Sequence, residues 1–184
     1  ENARYRYDYF TNNCATQVRD VLDDALGGRL QQLKASSQGN SYRSETVRLA
    51  WPAKWMALGF DLGLAGVADK PLSRWQEAFI PMRLQDSLAG IRLSDGRDLV
   101  KQTEIVLQDR LPPPPSELPR WSLAALAIGI VMAAALLLAG ERFPKAFHIM
   151  AAFYGLLCGL IGWALLLIWL GTEHRFAHAN LNLL

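Results

Sequence analysis

Two stretches decide the architecture: residues 121–139, WSLAALAIGIVMAAALLLA, and residues 147–170, FHIMAAFYGLLCGLIGWALLLIWL. The first carries no charged side chain, and the ionisable groups of the second are His148, Tyr154 and Cys158. A helix needs about 20 apolar residues to cross a hydrocarbon core of about 30 Å, and both stretches meet that need. A core helix of a soluble protein is apolar along one stripe, not on every face over such a length. Trp121 opens the first stretch, and Trp163 and Trp169 lie in the outer half of the second, where interfacial aromatics settle. The expectation is a hairpin of two transmembrane helices, residues 121–140 and 147–170.

The connection, residues 140–146, is short and holds Arg142, Pro144 and Lys145. So tight a turn puts the two outer helix ends on one side of the membrane. Cytoplasmic loops are enriched in Lys and Arg, which favours Arg142 and Lys145 inside. Arg120 and Arg175 flank the other ends, so the asymmetry is small. In this orientation the polar N-terminal domain and residues 171–184 face the periplasm or exterior. A net charge of +2 without a basic cluster points away from nucleic acid as a partner.

Upstream, residues 4–10 alternate. Tyr5, Tyr7 and Tyr9 share one face and Arg4, Arg6 and Asp8 the other, the period of a strand with one buried aromatic face. Thr11, Asn12 and Asn13 supply turn and helix-capping chemistry. A helix is expected from Cys14 to about Leu26, with Cys14, Val18, Val21, Leu22 and Ala25 on one stripe and Gly27-Gly28 as its C-terminal stop. Residues 31–44 read as a loop and residues 45–56 as helix broken near Pro52. Residues 59–71 read as irregular, and residues 72–88 as helix broken at Pro81. Residues 91–94 and 99–107 flank Asp95-Gly96, a two-residue hairpin signal. Pro112 to Pro115 read as a stiff polyproline spacer holding the domain off the bilayer. The expected organisation is a domain over residues 1–111, a spacer over 112–120, the membrane hairpin, and a juxtamembrane segment over 171–184. One strand before the first helix leaves a sheet short of partners, so the rest of the domain is expected upstream. The apolar ending at Leu184 suggests further helices downstream.

Cys14 is the sharpest chemical feature. Cys158 falls inside a membrane stretch, so Cys14 has no partner for a disulfide within the polar part. A lone cysteine there is a small buried hydrophobe or a working thiol. Its place in the first turn of a helix, directly after a strand, suits the second role. The helix dipole and free N–H groups favour a thiolate and can receive an oxyanion. Strand, sharp turn and nucleophile at a helix start is the geometry of a cysteine acyl-enzyme. Geometry alone leaves both readings open.

The stretch YRYDYFTNNCATQVRD, residues 5–20, resembles the signature of the bacterial Lnb N-terminal periplasmic domain family: a Tyr-rich strand, Asn-Cys, and an Arg five residues after the Cys. The stretches YRS (42–44), FIPMRL (79–84), TEH (172–174) and NLNLL (180–184) resemble it as well. The resemblance implies an α+β permuted papain-like (NlpC-like) half-domain followed by two transmembrane α-helices. It implies a lipoprotein N-acyltransferase of the bacterial inner membrane, its soluble domain in the periplasm, working by ping-pong without a cofactor or metal. Cys14 would take a fatty acyl chain from a phospholipid as a thioester, and the α-amine of a diacylated lipoprotein would then accept it. A thiol nucleophile wants a base, and permuted papain-like families keep a His upstream of the Asn-Cys strand. No His precedes Cys14 here, so the base is expected in an N-terminal portion beyond this sequence.

Around Cys14 the supporting residues carry two readings each. Asn13 caps the helix or orients the thiol. Tyr7 stacks in the core or places its hydroxyl at the site. Arg19 pairs with Asp23 or binds a head-group phosphate. Its match to the signature favours a site role. His174, after the second span, binds head groups, assists Cys14, or sits in a solvated loop. His174 and His178 could begin a metal site, but only Glu173 is an obvious further ligand. His148 reads as an interfacial polar residue. Trp51, Trp55 and Trp75 are core residues, membrane-facing anchors or groove lining. Two other functions share these features: a membrane-anchored NlpC-like cysteine peptidase or amidase of the cell envelope, and a non-catalytic membrane scaffold. Two spans and a short spacer argue against the peptidase, since murein lies far from the bilayer surface.

Overall fold

The computed structural model describes residues 5–32, 39–107, 112–117 and 122–181. Within them the chain forms seven α-helices: α1 (Cys14–Ala25), α2 (Tyr42–Ala50), α3 (Lys54–Gly63), α4 (Arg74–Glu77), α5 (Pro81–Ala89), α6 (Ser122–Arg142) and α7 (Pro144–Gly171). The residues group into two units, Glu1–Thr46 with Ala68–Pro113 and Val47–Val67 with Pro114–Leu184.

The first unit corrects the expected fold class. It is helical, and among the described residues no strand forms, so the α+β papain-like half-domain is not what this sequence builds. Asp8 shows why. Its carboxylate accepts the N–H groups of Phe10 (3.1 Å) and Thr11 (2.8 Å) and the Thr11 hydroxyl (2.7 Å). That side-chain mimicry of a backbone turn curls the chain into a loop closed by the single Asp8–Asn12 bridge. An alternating segment without a partner strand has no face to bury, and Tyr5, Tyr7 and Tyr9 are exposed. They stack on one another instead, with ring centroids 6.5 and 5.8 Å apart. Phe10 is the aromatic that enters the core, 4.6 Å from the Tyr42 ring and 5.4 Å from Phe79.

Capping chemistry sets the helix limits. Asn13 and Thr16 form a reciprocal cap at the start of α1. Its end is a Schellman closure, with Gly28 N–H on the Asp23 carbonyl (2.9 Å) and Gly27 N–H on Asp24 (3.2 Å). Both glycines hold positive φ, +67° and +81°. Ser41 and Ser44 exchange side-chain bonds (2.8 and 3.1 Å), so α2 begins at Tyr42, inside the stretch read as a loop. Residues 33–38 of that stretch lie outside the described residues. Ser73 and Gln76 cap α4, and Pro81 occupies the first turn of α5, where its missing N–H costs nothing. The Asp95-Gly96 turn forms, with Gly96 at φ +82° and Leu93 N–H on the Arg97 carbonyl (2.7 Å). Its arms do not become strands beyond one Arg92–Asp98 bridge. A lone two-stranded ribbon is marginal in water, and Ile105, Val106 and Leu107 stay exposed.

In the second unit, residues 59–63 continue α3 rather than forming an irregular stretch. α6 and α7 are two helices long and apolar enough to cross a membrane, with 0% and 6% of their most apolar windows buried. The loop between them shrinks to Phe143. Pro144 starts α7 directly, and a Cβ on Gly140 would lie 3.5 Å from the Phe147 ring. Residues 112–115 carry no helix or strand, and the spacer flanks at 108–111 and 118–121, with Arg120 and Trp121, lie outside the described residues.

Candidate functional site

Cys14 is the first residue of α1 and its thiol is exposed. The backbone below it is held firmly. Asn13 Oδ1 accepts the Thr16 N–H (2.9 Å), and Asn13 Nδ2 donates to the carbonyls of Tyr9 (2.8 Å) and Phe79 (3.0 Å). Thr16 Oγ1 accepts the Asn13 N–H in return (2.8 Å). Asn13 therefore caps α1 and stitches it to the start of α5, which accounts for every polar atom of its side chain. Gln17 N–H bonds the Asn13 carbonyl (3.0 Å). The N–H groups of Cys14 and Ala15 have no acceptor among the described residues and remain available beside the thiol.

α1 presents its two faces opposite to their polarity. Ala15, Thr16, Arg19 and Asp23 are buried, whereas Val18 and Val21 are 53% and 67% exposed. The polar face is satisfied from within the unit. Arg19 ion-pairs with Asp20 (2.7 Å) rather than Asp23, donates to the Trp75 carbonyl (2.9 Å), and lies 3.9 Å from the centre of the Trp75 ring. Its guanidinium is thus committed to the fold, and Trp75 is a stacking partner. Asp23 accepts the Gln31 N–H (3.1 Å). The apolar stripe of Cys14, Val18 and Leu22 instead forms one wall of an open groove of about 400 Å³. α5 forms the other wall with Pro81, Leu84 and Leu88, and Val100 adds to it. That volume is in the range of small-molecule sites, about 300–1,000 Å³. Gln85, Asp86 and Thr103 give the lining its polar atoms.

Helix α5 also contributes Arg83 to a buried charge cluster that sequence reading did not single out. Arg83 grips Glu45 with two bonds (2.9 and 3.2 Å), and Asn40 donates to Glu77 (2.8 Å). Burial pushes the Glu77 carboxyl above its ordinary value; the Asn40 bond and the Arg83 charge pull it back, and Glu45 raises it again. Burial likewise raises the Tyr42 phenol, opposed by Arg19 and aided by Asp8. The α5 wall was legible in part, because Leu84 and Leu88 recur at i,i+4. Its pairing with α1 was not, since nothing local links residues 14–22 to 81–100.

Tyr7 sits in neither the core nor the groove lining; it is exposed between Tyr5 and Tyr9. His174 belongs to the second unit and is exposed. In the same segment His178 Nε2 lies 2.9 Å from the Thr172 carbonyl oxygen.

Residues 1–53 match the model of the Lnb N-terminal periplasmic domain. The match takes in the Asn13-Cys14 pair, α1 and α2, and stops short of α5 and the membrane hairpin. No curated protein and no solved structure matches the chain. A periplasmic-domain match followed by two long apolar helices fits a membrane protein with a periplasmic part.

Proposed function

We propose that this chain carries the nucleophile of an inner-membrane lipoprotein N-acyltransferase, with Cys14 as the residue that bears the acyl group. The observation that supports it most is the groove. An exposed thiol at a helix start is common enough, but here the same helix turns its apolar stripe outward and α5 mirrors it. A fatty acyl chain seated along Val18, Leu22, Leu84 and Leu88 would gain about 0.8 kcal/mol per buried methylene and end with its carbonyl at Cys14.

In the first half-reaction the Cys14 sulfur attacks the ester carbonyl of a phospholipid. A thioester forms, the ester C–O bond breaks, and the lysophospholipid alkoxide leaves with a proton. The unpartnered N–H groups of Cys14 and Ala15 stabilise the oxyanion on the way. In the second, the α-amine of a diacylated lipoprotein attacks the thioester, an amide forms as the C–S bond breaks, and the amine's proton passes by way of the base to the departing Cys14 sulfur, which restores the thiol. A base must take the thiol proton. All three histidines, His148, His174 and His178, lie in the second unit. We propose that the base is a histidine upstream of the Asn13-Cys14 stretch, the arrangement that the family resemblance implies. Two lipidic substrates suit a thiol borne by a membrane-anchored chain.

The test incubates the full-length protein in liposomes with a diacylated lipopeptide. Lysophospholipid and N-acylated lipopeptide should appear together and vanish with Cys14→Ala. An unmodified lipopeptide under conditions where a small thiol reagent labels Cys14 would refute the assignment.

A further inference from the structure

Helix α3 has no place in the chemistry above, and its composition is unusual for an exposed helix. Across ten residues it carries two charges, Lys54 and Asp61. At 100° per residue these lie about 20° apart on the helix circumference. The opposite arc holds Trp55, Met56 and Phe60, all exposed, Trp55 to 75%. A large apolar face rimmed on one side by charge marks a helix that is covered by something.

The second unit shows where α3 is held. The N–H of Ala65, just past its end, donates to the Phe176 carbonyl (2.6 Å), and Asn180 Nδ2 donates to the Leu62 carbonyl (2.7 Å). Asn180 is buried, and its bond satisfies one of the orphan carbonyls of the last turn. Phe176 belongs to a short 3-10 turn, Arg175–Ala177, which packs against α7 four residues beyond its last residue, Gly171. So α3 is tied to the chain immediately after the second long apolar helix leaves off. At about 15 Å it is too short to cross a bilayer.

We propose that α3 is an interfacial helix, lying in the membrane plane at the outer end of α7 with Trp55, Met56 and Phe60 in the headgroup–acyl boundary. This rests on α6 and α7 spanning the membrane. The Ala65–Phe176 and Asn180–Leu62 hydrogen bonds tie α3 to the chain that leaves the end of α7, where a membrane crossed by α7 would have its surface, so lipid is the occupant that covers the apolar face of α3. The polar edge of α3 is weakly charged, and apolar insertion rather than attraction to anionic lipid holds it there.

The experiment places the photoreactive residue p-benzoyl-phenylalanine at one of three positions in the full-length chain: Leu160 in α7, Trp55, or Asp61. The protein is irradiated in phosphatidylethanolamine–phosphatidylglycerol nanodiscs and read by intact mass. Phospholipid adducts are expected at Leu160 and Trp55, and several-fold less at Asp61. Adducts at Leu160 with none at Trp55, or a protein–protein cross-link at Trp55, would overturn the interfacial helix and leave the spans standing. No adduct at Leu160 would overturn the spans and this proposal together.

Discussion

Replacing Asn13 by Ala should loosen the nucleophile's helix by a predictable amount. The side chain makes three bonds: it accepts from Thr16 N–H (2.9 Å) and donates to Tyr9 O (2.8 Å) and Phe79 O (3.0 Å). Loss of an N-cap costs about 1 kcal/mol. Each of the two carbonyls that loses its donor adds about 1 kcal/mol. The sum, about 3 kcal/mol, corresponds to a roughly hundred-fold fall in hydrogen-exchange protection at the amides of α1. Exchange followed by mass spectrometry on the membrane-embedded protein would measure it. Asn13→Asp separates the parts, because it keeps the cap acceptor and removes both donors. It should recover about 1 kcal/mol of the loss and leave about 2 kcal/mol. A change in protection below about fivefold for Asn13→Ala would refute the cap-and-stitch account and return Asn13 to the thiol-orienting role.

Glu77→Gln should stabilise the first unit at neutral pH. A carboxyl whose folded-state value is raised binds its proton more tightly folded than unfolded. Its ionisation therefore removes stability as pH rises from the ordinary 4.5 through the folded value. The glutamine still accepts the Asn40 bond, so the variant's advantage in thermal midpoint should be absent below that range and reach a plateau above it. A constant advantage across pH would contradict the assignment. Val18→Arg, at a half-exposed position, should displace about two acyl methylenes from the groove and weaken acyl loading roughly tenfold. Alkylation of Cys14 by iodoacetamide should not slow, because a cation four residues along favours the thiolate; equal losses in both assays would mean the groove does not hold the chain.

Much of the architecture was legible because it rests on local chemistry. The two long apolar helices follow from composition alone, and α7 gained three residues at its start because Pro144 is a favourable first-turn residue rather than a loop residue. The stop at Gly27-Gly28, the break at Pro81 and the turn at Asp95-Gly96 were read from residues whose backbone preferences leave few options. The strand over residues 4–10 failed for a matching reason: period two describes a strand only where a partner exists, and the Asp8 carboxylate supplies a competing turn. Residue 4 itself lies outside the described residues. The stripe on α1 was legible in its spacing, but what it faces was not. An apolar stripe normally faces a core. Here Arg19 bonds Trp75 far along the chain while Asp23 and Thr16 are satisfied by Gln31 and Asn13, and that leaves Val18 and Leu22 to line a groove. Partners 56 residues apart, as Arg19 and Trp75 are, leave no trace in local periodicity.

The most direct test of the central claim is the intact mass of the full-length protein after incubation with phospholipid, wild type beside Cys14→Ala. The account predicts a fatty-acyl adduct on wild type alone, removed by hydroxylamine as a thioester is, and mapped by proteolysis to the peptide containing Cys14. No adduct on wild type while a thiol reagent still labels Cys14, or an adduct that persists in Cys14→Ala, would contradict it.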